Sequence, residues 1–260
     1  FKAAKDGDLR TIQLLLDLPE TVRPDVNAVD DLHSRTALIM ASANGHAAVV
    51  DQLLRVDGIN VYGFTRMIWV SANGHALSED QLLRIPGIHV NASTDTLGCT
   101  ALILASENDN AAVIYQVLRF PGIHINVSTY TLGCTALILA SANGHAAVVD
   151  QLLRVPGIHV NVSTATLGCT ALMLASENGH SAVVKQLLDA GANVNATKID
   201  RNTALIEASR RGHVAVVEQL LIAGANINAF NCRRMTALMQ ASQNGHAAVQ
   251  EILRAHGATE

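Results

Sequence analysis

The chain has 260 residues, of which 49% are apolar and 15% charged, a composition that favours a packed structure and argues against disorder. Its net charge is -4 and its 18 basic residues form no run, so the sequence lacks the basic footprint of a nucleic-acid-binding protein. No segment reaches the roughly 20 consecutive apolar residues that a membrane-spanning helix needs. We therefore expect neither nucleic-acid binding nor membrane insertion.

A repeated segment occupies the middle of the sequence. TLGCTALILASENDNAAV at 96–113 recurs with small changes at 131–148 and at 166–183, a spacing of 35 residues. Its Thr-Ala-Leu triplet also occurs outside these copies, so that the series comprises Thr36, Thr100, Thr135, Thr170, Thr203 and Thr236. A fixed period of this length is typical of proteins built from stacked supersecondary units.

Each copy predicts two short helices followed by an extended stretch. The Thr hydroxyl is suited to cap a first helix through Ala-Leu-Ile-Leu-Ala-Ser, and a Gly such as Gly144 supplies the left-handed residue that ends it. A second helix follows at Ala-Val-Val-x-Gln-Leu-Leu, which places apolar residues on one face. The polar stretch after it, such as 160–169, predicts a protruding hairpin finger.

Two helices this short cannot bury their apolar faces alone, so the copies must stack on a shared core. We predict an all-α fold that forms a single domain over 1–260, with about eight helix-turn-helix repeats. The approximate repeats cover 1–27, 28–60, 61–91, 92–126, 127–161, 162–195, 196–228 and 229–260.

The units resemble ankyrin repeats over essentially the whole chain. The best copy, 202–228, reads NTALIEASRRGHVAVVEQLLIAGANIN. Ala replaces the usual Pro, and Ile or Met replaces the first His, but both changes leave the cap and the apolar core intact. The resemblance implies an ankyrin-repeat solenoid with β-hairpin fingers, which binds a protein or peptide through a concave face made by the finger tips and the first helices.

Histidine and cysteine residues recur with the same period. Equivalent residues in stacked helices lie about 8–10 Å apart, too far to share a zinc ion or to form a disulfide. We therefore expect no metal, no cofactor and no enzymatic activity. Reduced cysteines at Cys99, Cys134 and Cys169 indicate an intracellular, cytoplasmic location.

Four Asn-x-Ser/Thr sequons begin at Asn91, Asn126, Asn161 and Asn195. The resemblance places each Asn in a turn where its side chain usually bonds backbone, and a glycan there would disrupt stacking. In related repeats this Asn can be hydroxylated, and Leu153, eight residues before Asn161, fits that preference.

Residues that contact a partner should lie at positions that differ between the copies, while the residues needed for stacking stay the same. The candidates are His33, Met40, Tyr62, Phe64, Trp69, Asp95, Leu97, Glu107, Tyr130, Leu132, Leu167, Glu177, Asp200, Glu207, Arg210, Arg211, Arg233, Gln240 and Gln243. Together they predict a groove that is apolar in the middle and charged toward the C-terminal end. A peptide or helix with an apolar stretch and an acidic neighbour would complement it.

Two of these features have a second interpretation. The leucine row at Leu97, Leu132 and Leu167 is either a contact surface or a set of side chains tucked between neighbouring fingers. The finger between 58 and 74 is short and carries Tyr62, Phe64 and Trp69, which indicate either a binding notch or a decayed repeat.

The sequence thus predicts a monomeric scaffold for protein-protein interaction. One alternative is a substrate-recruiting arm of a larger enzyme, or of a secreted bacterial effector acting in the host cytoplasm, with its catalytic domain outside this chain. A second alternative is a spacer whose faces bind nothing tightly.

Overall fold

The computed structural model describes residues 1–19, 21–28, 36–44, 46–56, 90–94 and 97–259, which fall into two compact units. The first unit, Phe1–His124, contains α1 (Lys2–Asp6), α2 (Leu9–Leu16), α3 (Ala37–Ala43), α4 (Ala47–Leu54), α5 (Ala101–Glu107) and α6 (Ala111–Val117). The second unit, Ile125–Glu260, contains α7 (Ala136–Asn143), α8 (Ala146–Leu153), α9 (Ala171–Glu177), α10 (Ser181–Asp189), α11 (Ala204–Arg211), α12 (Val214–Ile222), α13 (Ala237–Gln243) and α14 (Ala247–Ala255). The described helices form pairs, as predicted, while nearly all of the predicted repeat 61–91 lies outside the described residues.

Threonine caps start the first helix of the repeats. The hydroxyl oxygen accepts a hydrogen bond of 3.3 Å from the backbone N–H three residues later at Thr36, Thr100, Thr135, Thr170, Thr203 and Thr236. Each cap satisfies a donor that the helix leaves unpaired, which contributes about 1 kcal/mol. The predicted capping role of the Thr-Ala-Leu triplet is confirmed at these six positions.

The helical pairs of the second unit form two parallel rows. The first helices α7, α9, α11 and α13 pack consecutively on one another, and the second helices α8, α10, α12 and α14 do the same. Leu137, Leu152, Leu172, Leu187 and Leu205 are fully buried between the rows. Burying each such side chain stabilises the fold by about 1.5–3 kcal/mol, and no helical pair could achieve this alone.

In the first unit α1 packs against α3 and α2 packs against α4, so the same stacking operates there. Its described core contains Ala4, Ile12, Leu38, Val50 and Leu53. None of the helices in the described parts of the chain is long and apolar enough to cross a membrane.

Short hairpins connect the repeats, and four of those in the described parts of the chain carry a single antiparallel bridge. The bridged pairs are Ser93 with Thr100, Ser128 with Thr135, Ser163 with Thr170, and Phe230 with Thr236. Successive hairpins of the second unit are joined by backbone bonds from Ala165 N to Leu132 O, from Ile199 N to Leu167 O, and from Cys232 N to Asp200 O, at 2.8–3.0 Å. The predicted fingers are therefore present, and those of the second unit form a continuous row.

Periodic histidines link each repeat to the one before it. His180 Nε2 lies 3.0 Å from the carbonyl oxygen of Ala142, and His213 Nε2 lies 2.9 Å from that of Glu177. Since a carbonyl can only accept, Nε2 carries the proton in this geometry. His46 and His246 make the equivalent bond. The interpretation of these histidines as structural residues agrees with this arrangement.

The sequon asparagines also bind the next repeat. Asn126 donates to Gly157 O at 2.8 Å and accepts from the backbone N–H of His159 at 2.9 Å. The same paired contact recurs at Asn91, Asn161 and Asn195. The amide thus both donates and accepts across the stack, so a glycan on its nitrogen would disturb this contact.

Replacing Gly179 by Ala tests the contact between a helix-ending glycine and the histidine of the next repeat. Gly179 has φ +78°, and an added Cβ would lie 2.6 Å from His213 Nδ1. We expect the free energy of unfolding to fall by about 2–3 kcal/mol, from left-handed strain plus displacement of the imidazole. Urea unfolding followed by circular dichroism measures the change.

The matched control is Gly191→Ala, because Gly191 has φ +83° and an added Cβ there meets nothing within 4 Å. This variant carries the backbone strain alone, so its loss should be about 1 kcal/mol. Equal losses in the two variants would contradict a stabilising role for the histidine contact.

Candidate functional site

The predicted site residues fall into three groups in the structure. Five of them, His33, Tyr62, Phe64, Trp69 and Asp95, lie outside the described residues. Both interpretations of the short aromatic finger therefore remain predictions. The other candidates are described, and they divide into buried and exposed side chains.

Three candidates on first helices are buried, which corrects the expectation that they offer surface to a partner. Met40 is 8% exposed, Glu207 1% and Gln240 9%. They occupy the slot four residues after the capping Thr. Met40 belongs to the apolar core of the first unit, and the finger residues Lys198 and Asn202 cover Glu207. Spacing along one helix could not reveal this cover, because it comes from a different segment.

The hairpin tips of the second unit carry a row of exposed apolar side chains. Leu132 is 52% exposed, Leu167 59% and Ile199 72%, and Tyr130 is also exposed in the first of these hairpins. We call Leu132, Leu167 and Ile199 the finger ridge. Exposure above one half disagrees with the interpretation in which the leucines tuck between neighbouring fingers. Leu97 is exposed as well, in the first unit.

Ile199 was not among the predicted residues. Alignment on the capping threonines matches Leu167 with Asp200, because the spacing falls from 35 to 33 residues after Thr170. In the structure the carbonyls of Leu132, Leu167 and Asp200 accept the bonds between hairpins in turn, which agrees with this alignment. Ile199 donates to Leu167 as Ala165 donates to Leu132, so Ile199 occupies the position of Ala165 and brings a large apolar side chain to it.

Glu207 is the centre of a buried network of charges. Its Oε1 accepts hydrogen bonds from Lys198 Nζ and, at 2.8 Å, from Asn202 Nδ2. Its Oε2 accepts from Arg210, whose Nε lies 2.9 Å away. A carboxylate this deeply buried requires such partners, because desolvation of an unpaired charge would be prohibitive.

The network extends across the stack to the preceding repeat. Glu177 Oε1, at the end of α9, accepts hydrogen bonds from Arg210 and Arg211 of α11, each at 2.9 Å. Arg210 therefore bridges two carboxylates, one in its own helix and one in the neighbouring helix. The charged residues that the sequence suggested as partner contacts here largely satisfy each other.

This pairing shifts the pKa of two groups, Glu207 and Lys198. Burial alone would raise the pKa of Glu207, but the hydrogen bonds and positive charges of Lys198 and Arg210 outweigh it and lower the pKa. Burial alone would lower the pKa of Lys198, but its bond to Glu207 outweighs that effect and raises the pKa. Both groups are therefore held in their charged forms at neutral pH.

An open polar pocket lies beside this network, with a volume of about 580 Å³. We call it the finger pocket. Residues of the last two hairpins and of α11 and α13 line it, among them Lys198, Asp200, Arg233, Gln240 and Gln243. Arg233 and Gln243 are exposed, and Asp200 is partly exposed. The structure thus brings these predicted residues of two repeats to one site.

None of the four cysteines forms a disulfide. Cys99, Cys134 and Cys169 are buried, and Cys232 is exposed in the finger pocket. Burial raises the pKa of the Cys99 and Cys169 thiols, which makes them poor nucleophiles. Within the described ranges no three His, Cys, Asp or Glu side chains are grouped so that they could hold a metal ion.

Replacing Glu207 by Gln tests the buried network. Lys198 and Arg210 would lose the carboxylate that compensates their desolvation, so we expect the free energy of unfolding at neutral pH to fall by about 3 kcal/mol. The folded pKa of Glu207 is lowered from 4.5. Its contribution is therefore present above that value and is lost as the pH falls through the lower folded pKa. Urea unfolding at several pH values measures the difference.

We expect the gap between the parent chain and Glu207→Gln to be constant near neutral pH and to shrink below about pH 4. The control is Glu218→Gln, because Glu218 is exposed on α12 and should change stability by less than about 0.5 kcal/mol. A gap that stayed constant into acid would contradict the role assigned to the carboxylate.

Comparison with known families agrees with the stacked helical pairs. A family model described as ankyrin repeats in three copies matches residues 1–94, 67–164, 102–198, 137–231 and 172–259, which together cover nearly the whole sequence. No curated protein matches the chain. Ankyrin repeats are modules of protein-protein interaction, and these matches extend through both units. The chain belongs to the ankyrin-repeat family.

Proposed function

We propose that this protein is an interaction scaffold that binds a partner protein through the finger ridge and the adjoining first helices of its second unit. The observation that carries the proposal is the row of three large apolar side chains, each more than half exposed, at the tips of consecutive hairpins. Exposed apolar surface is costly to maintain unless a partner covers it, so a contiguous row is typical of a contact site.

The ridge has a fixed spacing, which favours specific binding. Backbone bonds of 2.9 and 3.0 Å join Leu132 to the next hairpin and Leu167 to Ile199. Gly133 lies so close to the following hairpin that an added Cβ would come within 2.7 Å of the backbone nitrogen of Ala165. Hairpins held this tightly lose little conformational entropy when a partner binds, which improves affinity.

Polar candidates surround the ridge and would provide the rim of such an interface. Arg211 is about half exposed, while Glu177 is mostly covered by its two arginines. Leu97 and Glu107 lie in the first unit and are exposed there. We keep these residues as proposed contacts. Buried cysteines that form no disulfide support an intracellular setting.

The proposal predicts that polar substitution of the ridge abolishes binding while the fold is retained. In the triple variant Leu132→Ser, Leu167→Ser, Ile199→Ser, partner capture from a lysate of the source cells should fall at least tenfold, since each lost apolar contact weakens binding. Quantitative mass spectrometry of proteins retained on immobilised chain measures the change. Circular dichroism checks that the variant is helical.

A matched control replaces three equally exposed apolar residues on second helices, in the variant Leu14→Ser, Tyr115→Ser, Ile222→Ser. This control should retain the same proteins as the parent chain. Equal retention by the ridge variant would place the binding surface elsewhere, and a parent chain that retains no protein would favour a spacer.

A further inference from the structure

The finger pocket contains a cation, Arg233, that no carboxylate in the described parts of the chain neutralises. Lys198 and Arg210 are tied to Glu207, and Arg210 is also tied to Glu177. Arg233 is exposed, and among the described residues its guanidinium forms no ion pair. The pocket lining contains three cations against two carboxylates, those of Asp200 and Glu207. The positive charge left over belongs to the side chain that is most accessible.

A buried amide lines the same pocket. Asn202 is 8% exposed, and its Nδ2 donates to both Asp200 and Glu207, which fixes the orientation of the amide. Among the described residues its Oδ1, which is buried from solvent, has no hydrogen-bond partner. An unpaired acceptor of this kind costs stability, so the amide is held in place by its two bonds to the carboxylates of Asp200 and Glu207.

The pocket is continuous with the finger ridge. Ile199, the last residue of the ridge, lies between Lys198 and Asp200, which both line the pocket. The backbone of the Asp200 hairpin in turn bonds to Cys232, the pocket residue next to Arg233. An extended segment that follows the ridge from Leu132 to Ile199 therefore reaches the pocket without leaving the row of hairpins.

We propose that the finger pocket receives an acidic side chain of the partner, from an extended segment whose preceding apolar residues lie on the finger ridge. The carboxylate pairs with Arg233, whose planar guanidinium can make two parallel hydrogen bonds to it. This inference rests on the proposed scaffold function and specifies the chemistry of the partner.

A basic partner side chain fits the pocket less well. Glu207 is buried, and its carboxylate oxygens already accept hydrogen bonds from Asn202, Arg210 and Lys198. Asp200 has Lys198 at 3.8 Å and two hydrogen bonds from Asn202. A second cation would therefore approach Arg233, Lys198 and Arg210 without a free carboxylate to offset their charge.

Selection of displayed random dodecapeptides on the whole chain tests the inference, with Arg233→Glu and Arg234→Glu selected in parallel. Arg234 is the matched control because it lies in the same hairpin, over the ring of Phe230, and does not line the pocket. Peptides from the parent chain and from Arg234→Glu should carry Asp or Glu after apolar residues. Peptides from Arg233→Glu should lose this preference and gain Lys or Arg.

Binding of a synthetic copy of a selected peptide then measures the interaction between its acidic residue and Arg233 directly. Changing its acidic residue to the amide should weaken binding by roughly ten- to a hundredfold on the parent chain, the range of a charge-assisted hydrogen bond. The same change should have little effect on Arg233→Glu, since the two changes remove one interaction. Titration calorimetry gives the four dissociation constants.

Cys232 reports whether the peptide occupies the pocket, because it is the one exposed cysteine of the four. Saturating peptide should slow its alkylation by iodoacetamide at least fivefold. Unchanged alkylation, or selected peptides whose charge does not respond to Arg233→Glu, would overturn the pocket assignment while leaving the scaffold function intact. Failure to select any peptide on the folded parent chain would overturn both.

Discussion

Each unit depends on the contact between one helical pair and the next, because its helices are too short to be stable alone. The described helices have five to nine residues, below the length at which isolated helices persist in water. Stacking buries their apolar faces, and histidine and asparagine side chains bond to the backbone of a neighbouring repeat. The histidines and asparagines that recur in most copies are therefore residues that make these contacts.

This constraint also decides which residues are free for recognition. Capping threonines, helix-ending glycines and the buried leucines have fixed partners inside the stack. Even charged residues are used in this way, since Glu207 neutralises Lys198 and Arg210 within the protein. The tips of neighbouring hairpins in the second unit are joined by backbone bonds, so exposed side chains such as those of Leu132 and Leu167 can vary with little loss of stability.

The resulting surface combines two kinds of interaction. The finger ridge offers apolar area, which supplies affinity but discriminates poorly between partners. The finger pocket offers the exposed guanidinium of Arg233, which forms no ion pair among the described residues and supplies direction and selectivity. A partner that satisfied only one of the two would bind weakly, so their adjacency sets the specificity that we propose.

The sequence by itself determined the helices, their caps, the fingers and the stacking, because these depend on contacts that repeat with the period of the chain. The exposed leucines at 132 and 167 could be found in the same way. Tertiary structure alone decided the rest. Glu207 proved buried because the finger residues Lys198 and Asn202 cover it, and Gln240 proved buried as well. Ile199 joined the ridge because it brings a large apolar side chain to the position that Ala165 occupies in the preceding hairpin. Side chains that meet across the stack have no signature in the spacing of a single repeat, so neither the charge network nor the free cation at Arg233 could be derived from it.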